Sequence, residues 1–363
     1  MIIVTFLVHP FDKPPGEWYS DIVISRGDPP VREIPTPLPA ITVKRRMIMI
    51  DVVALGEVLI DFASRGTDGN GYPLMQALPG GAPANFLAAL TKYGKSTAFL
   101  GKVGDDTFGH LLVGTVKAAG IETRGIVIDP SVFTTLAFVT FDASGDRSFS
   151  FARKPGADTC LTWEEVDKSL IDEAKVFHFG TLSLTDEPVR STTQKCVAYA
   201  RERGKLITCD PNLRKPLWRS EEEAKEQILW SLSQADVVKI SDDEVDFLWS
   251  CTPEEGADKL LQQFGVSLAM VTLGPKGCLL KTKNAVCRVS SPKVSPVDTT
   301  GAGDIFGGSA VYRLLELNKP IAELTAEDLR YIGSFASTAA SLSTEAAGGI
   351  PSIPEKAAVL NVM

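Results

Sequence analysis

The chain has 363 residues, of which 44% are apolar and 23% charged, with a formal net charge of −8; this is ordinary globular composition, enough for one large domain or two modest ones. The acidic balance argues against a nucleic-acid footprint, which needs a basic stripe, but leaves nucleotide substrates open. Three scattered histidines (His9, His110, His178) and six cysteines without a C-x-x-C pair argue against a zinc centre or a Ser–His–Asp triad, and the cysteines read as reduced thiols of a cytoplasmic protein.

Residues 1–46 carry many of the prolines and no helical period. They are expected to be a poorly ordered extension, with a partner-binding tail as the alternative. Their opening MIIVTFLV is too short for a bilayer and lacks the basic flank of a signal peptide, and no later stretch has the length and apolarity of a membrane span.

From Ile50 strand-like and helix-like runs alternate. Strands are expected at 51–55, 97–100, 125–128, 175–179, 205–209, 236–240 and 268–273, with helices at 83–93, 107–119, 187–203, 221–233, 255–264, 304–317 and 326–343. Pro83 opens the first helix and Gly94 stands just past it. Such alternation predicts an α/β fold with a mainly parallel sheet covered on both faces, and sites at the carboxyl ends of its strands. Residues 57–78 and 133–153 break the pattern. They read as hairpins of a separate small sheet, the second turning at 142–146.

The loop Asp298-Thr299-Thr300-Gly301-Ala302-Gly303-Asp304 runs into an apolar-spaced helix. Gly301, Ala302 and Gly303 therefore fall at a helix N-terminus, where free N–H groups and the helix dipole attract an anion. A carboxylate there suits phosphoryl transfer, in which the attacking hydroxyl must give up a proton; an N-terminal cap is the alternative for Asp304. No G-x-x-x-x-G-K-[ST] loop is present, which excludes P-loop chemistry.

These motifs resemble those of the ribokinase-like (PfkB-type) carbohydrate kinases. DTTGAGDIF is similar to the family's C-terminal signature and Gly80-Gly81-Ala82-Pro83-Ala84-Asn85 to its sugar-binding one. GEVLIDF (56–62), GKVGDDTFG (101–109), DPNLRKPLW (210–218), KISDDE (239–244) and VTLGPKGC (271–278) occur in the family's order. The combination is most similar to fructokinases. The resemblance implies a ribokinase-like domain over 47–363, the small sheet acting as a lid and possible dimer clasp, ATP and a small-molecule sugar as ligands, Mg²⁺, and K⁺ in potassium-activated members.

Carried onto this sequence, the resemblance makes Asp304 the general base and Gly301, Ala302 and Gly303 the anion hole. It puts Asp61, Gly80, Gly81, Asn85 and Arg153 at the sugar. Lys239, Ser241, Glu244, Thr272, Gly274, Gly277 and Ser337 fall at the nucleotide, with Glu244 holding the Mg²⁺ water shell and Ser241 standing where the family has Asn. Asp298, Thr300, Gly348 and Ser352 match the K⁺ positions. Asn212 and Arg214 stay open between phosphate-side positioning and loop structure. The implied reaction is fructose and ATP to fructose 6-phosphate and ADP. Because RKPGAD (153–158) stands where fructokinases read RNPSAD, a 2-keto-3-deoxygluconate kinase or another sugar kinase of the family is the alternative; a non-catalytic sugar or nucleotide sensor is the third reading.

Overall fold

A computed structural model describes residues 49–141 and 147–363. The expected extension 1–46 and the hairpin turn at 142–146 lie outside the described residues. In chain order the elements are β1 (Ile50–Leu55), β2 (Leu59–Thr67), β3 (Pro73–Gly80), α1 (Ala82–Lys92), β4 (Thr97–Gly104), α2 (Thr107–Ala118), β5 (Ile126–Asp129), β6 (Leu136–Phe141), β7 (Arg147–Ala152), α3 (Lys168–Glu173), β8 (Ala174–Gly180) and α4 (Val189–Glu202). There follow β9 (Leu206–Asp210), α5 (Glu221–Gln234), β10 (Val237–Ser241), α6 (Asp242–Trp249), α7 (Pro253–Gln263), β11 (Leu268–Thr272), β12 (Cys278–Lys281), β13 (Val286–Val289), α8 (Ala302–Leu317), α9 (Ala326–Ser343) and α10 (Lys356–Val362).

Among the described residues nine strands form the main sheet in the order β13-β12-β11-β10-β9-β8-β1-β4-β5. Neighbours from β5 to β11 pair in parallel, and β12 and β13 add an antiparallel edge. Alternation along each strand sorts its side chains between two helix layers. Val53, Leu55, Phe177, Val238 and Val271 face α3, α4, α5 and α7, whereas Val52, Ala54, Phe99 and Val176 face α1, α2, α8 and α9. The apolar run of β1 is thus buried on both faces, as a central parallel strand requires.

The two segments that broke the alternation form a second sheet, ordered β3-β2-β6-β7. β2 follows β1 after three residues and pairs antiparallel with β3 and parallel with β6. Five elements were not expected from the sequence: the antiparallel edge strands β12 and β13, the short helices α3 and α10, and α6, which starts within KISDDE on a capping box between Ser241 and Glu244. Among the described residues no helix is long and apolar enough to cross a membrane.

α1 and α8 lie so close that a methyl group at Gly308 would sit 2.3 Å from the Phe86 carbonyl oxygen, whereas one at Gly307 would meet only the Phe86 ring at 3.4 Å. Gly308→Ala should therefore destabilise the protein by about 1–3 kcal/mol by forcing the helices apart, although alanine favours the helix itself. Gly307→Ala should match the wild type or exceed it. Urea midpoints at unchanged slope measure the difference; equal midpoints for the two variants would show that the helices can separate without cost.

Candidate active site

Strand β1 has β4 on one side and β8 on the other, so the path across the sheet reverses there, and ligands of open α/β sheets bind beyond the strand ends at such a point. A cavity of about 210 Å³ opens at these ends. Its walls are Glu57 after β1, Leu182 after β8, Asn212 and Arg214 after β9, Asn85 on α1, and the turn Thr299–Asp304; Asp61, Val139 and Phe151 of the small sheet cover it.

Gly301 caps α8 at φ +78°, a left-handed conformation that glycine adopts without strain. Ala302, Gly303 and Asp304 form the first turn. Gly303 and Asp304 thus present N–H groups that have no carbonyl four residues back, while Ala302 N–H donates to the Thr299 carbonyl at 3.3 Å. Asp304 is 9% exposed, and its Oδ2 accepts from Asn85 Nδ2 at 2.9 Å. Burial raises its pKa above the ordinary 3.8; the Asn85 hydrogen bond and the charges of Lys239 and Arg214 oppose the rise without cancelling it.

Behind this turn Lys239 of β10 pairs with Asp210 of β9 at 3.0 Å. A methyl group at Gly303 would lie 3.0 Å from the Lys239 ammonium, so the cation sits directly against the helix N-terminus. Burial works against the Lys239 charge, but Asp210, Glu244 and Asp304 outweigh it and raise its pKa. Burial pushes Asp210 upward, and Lys239 opposes that rise. Asp61 reaches the cavity from β2. Burial pushes it to about 6, Arg214 pulls it down, and Asp304 and Asp298 push it up. Gly80 leaves it room, since a methyl group there would lie 2.1 Å from Asp61 Oδ2.

A sequence profile for "pfkB family carbohydrate kinase" matches residues 49–356. Fructokinase-2 of Solanum lycopersicum is 42% identical over 316 residues, covering 86% of this chain and 95% of that one. The crystal structure of fructokinase with bound ATP from Xylella fastidiosa superposes with a TM-score of 0.79 at 30% identity, covering 86% of this chain and 97% of the other. A double mutant of the fructokinase from Vibrio cholerae O395, in fructose, ADP and potassium ion bound form, superposes with a TM-score of 0.76 at 32% identity over 86% and 98% of the two chains. The chain belongs to the pfkB carbohydrate kinase family. It is a phosphotransferase that acts on a sugar hydroxyl.

Several residues of this kinase make contacts that the sequence did not predict. Arg153, expected at the sugar, is 4% exposed and does not line the cavity. Its Nε donates to Asp158 at 2.8 Å, Nη1 to Thr185 Oγ1 at 2.7 Å and Nη2 to the Leu182 carbonyl at 2.9 Å. Ser337, expected beside the adenine, is 2% exposed and bonded to the Cys278 thiol at 3.3 Å. Glu244 acts as a clip: Oε1 accepts from Leu213 N–H at 2.7 Å and Oε2 from Ser241 N–H at 2.8 Å. It thereby ties the Asp210–Arg214 loop to β10 and sets Asn212, at φ +47°, in the wall of the cavity. Asn85 lines the cavity, but its amide N–H goes to Asp304.

Thr272 ends β11, and Gly274 and Gly277 form the turn into β12; Gly277 is held so tightly that a methyl group would meet the Val289 carbonyl oxygen at 1.9 Å. At the expected K⁺ position, Asp298 Oδ1 accepts from Thr300 N–H at 2.9 Å and Oδ2 from Gly348 N–H at 3.0 Å. Ser352 joins the same loop by donating to the Gly349 carbonyl at 2.9 Å. Two acids of the site carried no expectation, Asp210 behind the turn and Glu57 in the cavity wall. Asp210 was visible only as the first letter of a motif. Glu57 stands at the end of β1, 3% exposed; its Oε1 accepts from Ala82 N–H at 2.9 Å, and burial pushes it to about 7. A carboxylate just past a central strand was the available signal.

Proposed function

We propose that this kinase transfers the γ-phosphoryl group of ATP to a hydroxyl of fructose, giving fructose 6-phosphate and ADP. The observation that carries the reading is one cavity lined by two carboxylates, buried Asp304 at a helix N-terminus and half-buried Asp61 on the small sheet, in a chain about 40% identical to plant fructokinases over 86% of its length. Asp304 takes the proton of the attacking hydroxyl. The hydroxyl oxygen bonds to the γ-phosphorus as the bridging P–O bond breaks, and ADP leaves with that electron pair. The N–H groups of the Gly301–Gly303 turn, together with Lys239 behind them, stabilise the charge on the phosphoryl oxygens. Asp61 accepts hydrogen bonds from sugar hydroxyls, and Gly80 and Gly81 let the backbone approach the ring.

The donor set fits Mg²⁺ held through water. No group of three His, Cys, Asp or Glu residues forms a direct cage among the described residues, and Mg²⁺ characteristically keeps several waters and binds substrate phosphates. Glu244 and Asp210 would hold its water shell, and the ion would neutralise charge on the triphosphate. The loop of Asp298, Thr300, Gly348 and Ser352 offers oxygens to a monovalent cation, as the potassium-bound relative supports. The small sheet would serve as lid and as contact of a cytoplasmic homodimer.

Charge favours a neutral sugar over an acid sugar. Asp61, Asp304 and Glu57, the last part-protonated near neutral pH, line the cavity with Arg214 as its one guanidinium among the described residues, and the Arg153 guanidinium donates to protein acceptors. A carboxylate substrate would meet more repulsion than pairing.

Asp304→Asn should lower kcat by about 10²–10⁴-fold while ATP and fructose still bind. Only the carboxylate form accepts a proton, so wild-type kcat should fall as pH drops through the Asp304 pKa, and because that pKa is raised the fall should begin nearer neutrality than for an exposed aspartate. Near-normal turnover of Asp304→Asn would leave Asp304 as a helix cap.

In a panel of fructose, ribose and 2-keto-3-deoxygluconate, fructose should have the highest kcat/KM, and Asp61→Ala should lose most of that advantage because hydroxyls and their partners are left unpaired. A tenfold or greater preference for the keto-acid would move the assignment to the acid-sugar kinase.

Activity in K⁺ should exceed that in a bulky organic cation at equal ionic strength, since a bound cation would order the turn at Thr300–Gly303. Equal rates in the two salts would remove K⁺ from the reading.

A further inference from the structure

Asn85 stands in the sugar-binding signature, yet its side chain is committed to the reacting centre. Nδ2 donates to Asp304 Oδ2 at 2.9 Å, and the residue is 3% exposed. Oδ1 is buried and, among the described residues, has no hydrogen-bond partner. An amide bonded at one end alone is free to swing unless something blocks it. Two glycines supply the block. A methyl group at Gly349 would lie 2.2 Å from Asn85 Oδ1, 2.5 Å from Cγ and 2.6 Å from Nδ2; one at Gly301 would lie 3.1 Å from Nδ2. The planar amide is thus packed against two bare stretches of backbone. Turning it over would set its oxygen against the Asp304 carboxylate, so only the donor orientation is stable.

We propose that Asn85 is a positioning residue for Asp304, and that the backbone of Gly349 is the wall that holds the Asn85 amide in its donor orientation. The proposal rests on the reading of Asp304 as the base. Its physical content is that one carboxylate oxygen is pinned by the amide, which fixes the direction in which the other meets the hydroxyl. Misplacing a reacting group by about 1 Å costs on the order of 10²-fold in rate.

The charged groups that act on Asp304 come from several elements: Lys239 on β10, Arg214 after β9, Asp210 at the end of β9, and Asp61 on β2. None of them changes in an Asn85 or Gly349 variant, so a change in the pH profile reports on the amide. Gly349 has φ −78°, outside the left-handed region, so alanine there meets the amide rather than backbone strain.

The experiment measures kcat and KM for fructose against pH, with melting temperature, in the full-length wild type, Asn85→Ala, Asn85→Asp, Gly349→Ala and Asp304→Asn. Asn85→Ala and Gly349→Ala should both lower kcat at neutral pH by about 10–10²-fold, leave KM for fructose nearly unchanged, and move the acid limb to higher pH, because the hydrogen bond that favours the carboxylate is lost. Asn85→Asp preserves shape and should move the limb further the same way, since two adjacent carboxylates share a proton; its turnover should recover as pH rises. A raised KM with kcat and acid limb unchanged would make Asn85 a direct sugar contact and overturn the proposal, as would a wild-type pH profile for Gly349→Ala. If Asp304→Asn is inactive and the Asn85 variants keep the wild-type limb, the positioning role alone fails; if Asp304→Asn is active, the base assignment itself fails. Should Gly349→Ala not fold, Asn85→Asp still decides by its pH profile.

Discussion

Keeping a negative charge on Asp304 inside the protein is the constraint that the site is built around. A carboxylate so far out of water takes up a proton unless its surroundings favour the ion. Four features do so here: the N-terminus of α8, the amide of Asn85, and the charges of Lys239 and Arg214. Each creates a further requirement. Lys239 is itself buried, and Asp210 offsets its desolvation. Arg214 stays in the wall because Glu244 clips its loop to β10. Signs alternate through Asp210, Lys239, Asp304, Arg214 and Asp61, carried by β9, β10, α8, the loop after β9 and β2. Buried pairs of this kind contribute little net stability, so the arrangement is better explained by tuning of the Asp304 carboxylate, the proposed base, than by holding the fold.

That series also sets what the main sheet must do. β8, β9 and β10 have to end at one level for their loops to meet α8, and the parallel register achieves this, with Gly180 opposite Asp210 and Val238 opposite Cys209. α8 must approach α1 closely enough for Asn85 to reach Asp304, which is what the bare backbone at Gly308 permits. Asp61 belongs to the other sheet. Its distance from Asp304 therefore depends on how the small sheet lies over the strand ends, and on the proposed reading a sugar bound by both carboxylates would couple that position to catalysis. Exclusion of water would then accompany substrate binding, as phosphoryl transfer demands.

Much of this was legible in the residues. Parallel strands have long apolar runs and their helices carry clear start and stop signals, so β1, α1 and α9 fall within a residue or two of expectation. The edge strands β12 and β13 have four residues each, too short for a period to show. α6 is eight residues long, so its period does not show, and Ser241-Asp242-Asp243-Glu244 reads equally as a nucleotide motif and as a helix start, the same letters spelling a capping box. Side-chain destinations were the least legible. Arg153 after a hairpin reads as a free cation, and nothing in the sequence says that Asp158, five residues on, turns back to meet it. Asn85 sits in a sugar signature, and its bond to Asp304 spans 219 positions; only the packing of α1 on α8 brings the two together.

The departure of RKPGAD from RNPSAD has a local explanation once the fold is known. Neither Lys154 nor Gly156 lines the cavity. Lys154 is exposed. Gly156 is buried against Thr135, where a methyl group would lie 1.8 Å from Oγ1 and 3.0 Å from Asp158 Oδ1. Asp158 in turn receives Arg153 and the Thr135 hydroxyl. A serine at 156 would have to displace Thr135, so glycine there follows from how the Arg153–Asp158 pair is packed. The choice of sugar is then a matter for the groups that do reach the cavity, Glu57, Asp61 and Arg214, and for the excess of negative charge they and Asp304 maintain around a neutral polyol.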